Sequence, residues 1–148
     1  MKTLQTTEPM LVLGIPLRTN NQRAFEDIPT HWQRFSGENW LARIPHRRDG
    51  DVYAVYTHHA HEGVDNHGDY TLIVGACVTH ADTVPEGLAS AVIPPGRHAV
   101  FEVEPGRHDK VGERWLDVWA NQDLAKTYRC DHERYAPDGK IEIRVGIR

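Results

Sequence analysis

The sequence predicts an α+β domain in which a strand-helix-strand-strand unit occurs twice, its antiparallel strands forming a curved sheet with both helices on one face and a ligand groove between them. Three observations carry this. Apolar residues alternate at strand period, most clearly where Ile141, Ile143, Val145 and Ile147 interleave with Glu142, Arg144, Gly146 and Arg148. Two other segments place tryptophans and aliphatic residues at the i, i+4, i+7 spacing of a helix face. The order of elements in the first half returns in the second, with small echoes: Val74-Gly75 against Val145-Gly146, and Tyr53 against Tyr128. At 148 residues the chain has the size of one domain. A single core is therefore expected over 1–148, with repeats at about 10–79 and about 90–148.

In chain order, Met10 to Arg18 reads as a strand, because Leu11, Leu13, Ile15 and Leu17 share one face. About Ala24 to Ile44 reads as a helix whose apolar face carries Ile28, Trp32 and Phe35, with Gly37 as a bend and Ile44-Pro45 as the end. Strands over Val52 to about His58 and Asp69 to Thr79 follow, joined by a polar hairpin loop containing Gly63 and Gly68. The run Ser90 to Glu104 contains Pro94-Pro95-Gly96, which interrupts a hydrogen-bond ladder and signals a bulge or an edge. Asp109 to Leu124 reads as the second helix, with Val111, Trp115, Val118 and Trp119 on its inner face. Strands over Lys126 to Tyr135 and Lys140 to Arg148, joined by the turn Ala136-Pro137-Asp138-Gly139, complete the second unit.

Charge and composition exclude several classes of partner. The net charge is -4 with 10 histidines taken as neutral, and charges of both signs are scattered, so no basic face for phosphate neutralisation is expected and direct DNA binding is disfavoured. No run approaches the ~20 apolar residues of a membrane helix, and the N-terminal residues lack the apolar core of a signal peptide. Cys77 and Cys130 show no metal-type spacing, which fits a reduced, cytoplasmic setting. The cluster His58, His59, His61 and His67, with Asp65, reads as a solvated loop, because adjacent strand residues point to opposite faces; no metal and no other cofactor is expected. Cys130 and His132 share a strand face but lack an orienting group or an oxyanion element, so nucleophilic catalysis is not expected of them. Phosphate-binding glycine loops are absent.

Several strings in order resemble the gyrase-inhibitor-like proteins, whose fold is shared with the effector-binding domains of AraC-type and MerR-type regulators. They include Leu13-Gly14-Ile15-Pro16-Leu17-Arg18-Thr19, Trp32-Gln33-Arg34-Phe35, Ala54-Val55-Tyr56-Thr57 and Gly68-Asp69-Tyr70-Thr71-Leu72-Ile73-Val74-Gly75-Ala76 in the first half. The second half supplies Ile93-Pro94-Pro95-Gly96, Ala99-Val100-Phe101, Asp131-His132-Glu133-Arg134-Tyr135 and Ile141-Glu142-Ile143. The resemblance implies two repeats around a groove for bulky lipophilic, often cationic, aromatic molecules. It also implies a choice of roles: a drug sensor or sequestering protein, an inhibitor acting on gyrase, or a hydrolase of strained electrophilic toxins. The first, a non-enzymatic binder, is the leading expectation; the hydrolase and the gyrase-interacting inhibitor are the alternatives, and gyrase or a transcription regulator is the candidate protein partner.

Glu133 matches the family's groove carboxylate, and its strand parity is shared by Arg129, Asp131 and Tyr135. A buried carboxylate without a protein partner is costly, and a bound cation offsets that cost. Trp32, Trp119, Tyr56 and Tyr70 match the family's aromatic positions, and aromatic faces attract cations. Trp115 is assigned to the core.

Overall fold

The computed structural model describes residues 2–148. Its elements are β1 (Lys2–Thr6), β2 (Met10–Thr19), α1 (Ala24–Gly37), β3 (Val52–Thr57), β4 (Tyr70–Cys77), β5 (Ala89–Ile93), β6 (Gly96–Val103), α2 (Val111–Ala120), β7 (Asp131–Tyr135) and β8 (Ile141–Ile147). All eight strands form one antiparallel sheet in the order β1-β6-β8-β7-β3-β4-β2-β5. Adding four to each label in the first half generates the second half, and the exchange reverses the sheet order onto itself. The two strand-helix-strand-strand units, β2-α1-β3-β4 and β6-α2-β7-β8, are therefore related by an approximate twofold. It passes between β3 and β7, where Ala54 faces Glu133 and Tyr56 faces Asp131 on either side of the Val55 and His132 pair. Each unit is preceded by a strand that crosses to the other half, β1 onto β6 and β5 onto β2.

The sheet is strongly curved. β3 and β5 stand three places apart in the strand order, which in a flat sheet is about 14 Å, yet they approach within 8 Å between Cα atoms. Curling buries both faces. Ile15, Leu72, Val74, Ala99 and Ile143 pack toward the helices with Phe35 and Val118. Val12, Tyr53, Val55, Ile73 and Ile93 form a second core on the opposite face. β4 consequently reads as a continuous apolar run rather than an alternation, as strands buried on both sides do. At the β2 and β4 crossing Gly14 faces Gly75, and a Cβ on Gly75 would stand 1.8 Å from the Leu13 carbonyl oxygen, so the two backbones meet at a distance only glycine permits.

Several boundaries differ from the sequence expectation. The first helix stops at Gly37 rather than running to Ile44. Asn39 takes a left-handed φ of 53°, and a separate 3-10 turn, Trp40–Arg43, follows. The second helix is Val111–Ala120, shorter at both ends than Asp109 to Leu124 and preceded by the 3-10 turn His108–Lys110. The run from Ser90 divides at Pro94-Pro95 into β5 and β6, with β5 at the sheet edge, where a missing N–H costs no ladder bond. The strand expected from Lys126 begins only at Asp131, because Tyr128 has φ 53° and breaks the extended path. β1 has no sequence signal at all, since its burial pattern is mostly exposed and it lies at the other edge. The echo of Tyr53 in Tyr128 is not structural. The strand registers place Cys130, not Tyr128, opposite the counterpart of Tyr53's partner. No helix among the described residues is long and apolar enough to cross a membrane.

Candidate functional site

A cleft of about 1120 Å³ lies between α1, α2 and the middle of the sheet. Its floor comes from β3 and β7, the strands astride the twofold, and its two long walls from the helices. α1 contributes Phe25, Ile28 and Trp32; α2 contributes Trp115, Val118 and Trp119; the sheet contributes Tyr56, Tyr70, Asp131, Glu133 and Tyr135. Tyr56 sits at the centre of the aromatic lining, 5.6 Å from Tyr70 and 5.2 Å from Trp115 between ring centroids, and Trp115 continues to Trp119 at 6.3 Å. The Trp32 and Tyr135 rings meet edge-on at 4.9 Å, and the His108 ring stacks on Tyr135 at 5.1 Å. These separations are those of edge-to-face and offset aromatic pairs, so the walls hold one another in place without a ligand.

Glu133 lies at the base of this lining and is only 1% exposed. Oε2 accepts hydrogen bonds from the Tyr56 hydroxyl at 2.7 Å and the Trp115 indole N–H at 2.6 Å, and Oε1 accepts one from the Tyr135 hydroxyl. The local geometry follows from strand parity. Glu133 and Tyr135 are two residues apart on β7 and point to one face, while Tyr56 lies diagonally across the β3 and β7 pair, within reach of a long side chain. Burial raises the Glu133 carboxyl above its ordinary range, and the three donors, Tyr135, Tyr56 and Trp115, pull it back in part. Burial and the neighbouring carboxylate push both phenols, Tyr56 and Tyr135, well above the usual tyrosine value, so they keep their protons and remain donors. No Lys or Arg among the described residues makes an ion pair with Glu133. The Glu133 charge is thus spread over three neutral donors and ringed by aromatic faces.

All five residues singled out from the sequence, Glu133, Trp32, Trp119, Tyr56 and Tyr70, line this one cleft. Trp115 does too. Its spacing suggested plain core, but its indole reaches Glu133 because the α2 face turns toward β7. Tyr135 and Asp131 were also missed as lining residues, although their shared parity with Glu133 was the available signal.

Other candidates separate from the cleft. His132 faces the opposite side of the sheet, fully buried beside Tyr53 and His98, with neither ring nitrogen hydrogen-bonded, so it does not contact the Cys130 thiol as a base would. Burial pushes that thiol up to about 12, the reverse of nucleophile activation. In the loop between β3 and β4, His61 hydrogen-bonds Asp65 at 2.6 Å, and His59 lies against Tyr70 at the cleft rim. Among the described residues no three His, Cys, Asp or Glu side chains converge as a metal site.

The fold has well-matched neighbours among solved structures. An integron cassette protein from the mobile metagenome of Vibrio cholerae aligns with a TM-score of 0.78 at 21% identity, covering 99% of this chain and 95% of its own. The protein SAV2435, solved bound to tetraphenylphosphonium, aligns with a TM-score of 0.80 at 15% identity, covering 100% of this chain and 94% of its own. At these identities the likeness is one of fold. No match is found among curated proteins. The sequence profile of the GyrI-like small molecule binding domain matches residues 3–148, nearly the whole chain, and the protein belongs to that family.

Proposed function

We propose that this protein captures lipophilic organic cations in the cleft, with Glu133 as counter-charge and Trp32, Trp119, Tyr56 and Tyr70 as contact walls. The observation that carries the reading is Glu133 itself, a buried carboxylate in a roomy aromatic cavity with three hydrogen-bond donors but, among the described residues, no Lys or Arg in an ion pair with it. Donors spread its charge without cancelling it, and a bound cation supplies the missing charge. The neighbour solved with tetraphenylphosphonium, a bulky lipophilic cation, supports the same reading. A capturing protein returns its ligand intact, which separates this role from hydrolysis. Three donors already occupy Glu133, and a water-activating role would have to work through the one lone pair left on Oε1. Sensing or sequestration is the corresponding role, and a supercoiling assay tests gyrase as a partner.

The test is a titration with two ions of one shape and opposite charge, tetraphenylphosphonium and tetraphenylborate. The phosphonium is expected to bind and to be recovered unchanged, and the borate to bind at least about 100-fold more weakly, since its charge meets Glu133 with the opposite sign. Equal affinities would reduce the cleft to an apolar slot.

A further inference from the structure

Glu133 is not the last carboxylate in the cleft. Asp131, two residues earlier on β7, shares its face and lies beside its register partner Tyr56. The twofold pairs Asp131 with Ala54 of β3, and Glu133 with Tyr56, so both carboxylates come from the β7 side of the floor and none from β3.

The two acids differ in what they have left to offer. Glu133 accepts from three side chains. Asp131 accepts one hydrogen bond, through Oδ1 from the backbone N–H of Gly146 at 2.8 Å, and its Oδ2 has no donor among the described residues. The absence of a side chain at Gly146 keeps this approach open, for a Cβ there would stand 2.8 Å from the Thr127 hydroxyl and 3.0 Å from the Cys130 carbonyl oxygen. The basic group Lys126 acts on Asp131 and also lines the cleft, but its ammonium donates to the Asn121 carbonyl at 2.9 Å and makes no ion pair with Asp131. Burial pushes the Asp131 carboxyl up to about 6, against smaller opposing effects of the Gly146 N–H and Lys126. A carboxylate in that position lowers stability at neutral pH unless something outside the fold satisfies it.

We propose that Asp131 is the acceptor for the N–H groups of protonated amines, amidiniums or guanidiniums, whereas Glu133, already engaged by three donors of its own, acts on any lipophilic cation chiefly through its field. The cleft then sorts cations by whether they can donate a hydrogen bond. This rests on the cation-binding reading above.

Calorimetric titrations at pH 8 of wild type, Asp131→Asn and Glu133→Gln with two probes, 1,3-diphenylguanidinium and tetraphenylphosphonium, test it. Asparagine can still accept from Gly146. Asp131→Asn is expected to weaken diphenylguanidinium about 10-fold or more, the value of a charge-assisted hydrogen bond, and tetraphenylphosphonium by at most about threefold. Glu133→Gln is expected to weaken both probes alike. Asp131→Ser gives the same comparison should the asparagine variant not fold. Equal losses of the two probes in the Asp131 variants, or no loss of either, overturn the proposal while leaving cation binding intact. If neither probe binds wild type, the cation reading falls and this inference with it.

Discussion

Glu133→Gln is the substitution from which most can be learned, because the surrounding hydrogen bonds tolerate it. The amide oxygen can take the place of Oε2 and keep both the Tyr56 hydroxyl and the Trp115 indole N–H as donors, the indole being unable to do anything but donate. The amide nitrogen then stands where Oε1 was and donates to the Tyr135 oxygen, whose hydroxyl hydrogen is free to rotate away. Volume, polarity and packing persist, and only the charge is lost. For a cation roughly 6 Å from the carboxylate at an effective dielectric constant of about 20 to 40, the lost attraction is about 1.4 to 3 kcal/mol. Water at the mouth of the cleft and the three donors trim this toward about 1 to 2 kcal/mol, or roughly 5- to 30-fold in affinity. The variant's folded state gains in a pH-dependent way. Since burial raises the Glu133 carboxyl, its ionisation costs stability, a cost absent at pH below its unfolded value and felt as pH rises through the folded one. The melting temperature of the variant relative to wild type therefore rises between pH 4 and pH 8. Calorimetry with a planar cationic dye and a neutral analogue of the same shape reads the affinity. Equal dye affinity for two folded proteins refutes the counter-charge role.

Two further predictions concern charge elsewhere. Lys126→Met keeps the alkyl stem against the cleft and removes a positive charge, so lipophilic cations should bind about threefold more tightly, ~0.7 kcal/mol, by dye titration; a loss of affinity would show that Lys126 holds the site's shape. His132, fully buried and without hydrogen bonds, is held well below the ordinary histidine value by burial, Arg144 and His98. Below about pH 6.5 the unfolded chain binds a proton that the folded one refuses, so stability falls as pH drops through that range and is unaffected above it. His132→Leu should thus melt higher than wild type at pH 5.5 by more than at pH 8, and a constant difference at both pH values would contradict this account.

What the sequence made legible was the part that depends on local periodicity. The alternation in Ile141 to Ile147 and the i, i+4, i+7 faces around Trp32 and Trp119 located the helices and the last strand, and the family resemblance singled out Glu133, which lines the cleft. What stayed hidden depends on contacts far apart in the chain. β1 is mostly exposed and lies at a sheet edge, paired with β6 as its counterpart β5 is paired with β2. Asn39 and Tyr128, where left-handed backbone ends a helix and delays a strand, carry no glycine to announce it. Trp115 has the spacing of a core residue, and only the placement of α2 against β7 turns its N–H to Glu133. His132 is one residue from the cleft and wholly outside it, as the period of a strand requires.

A crystal structure of the protein with tetraphenylphosphonium would show whether this cleft holds a lipophilic cation against Glu133. The phosphonium is expected between Trp32 and Trp119, with its phenyl rings against Tyr56 and Tyr70 and with Glu133 as the nearest carboxylate, still holding all three of its donors. A phosphonium bound outside the cleft, or inside it with Glu133 turned away, would refute Glu133 as the counter-charge.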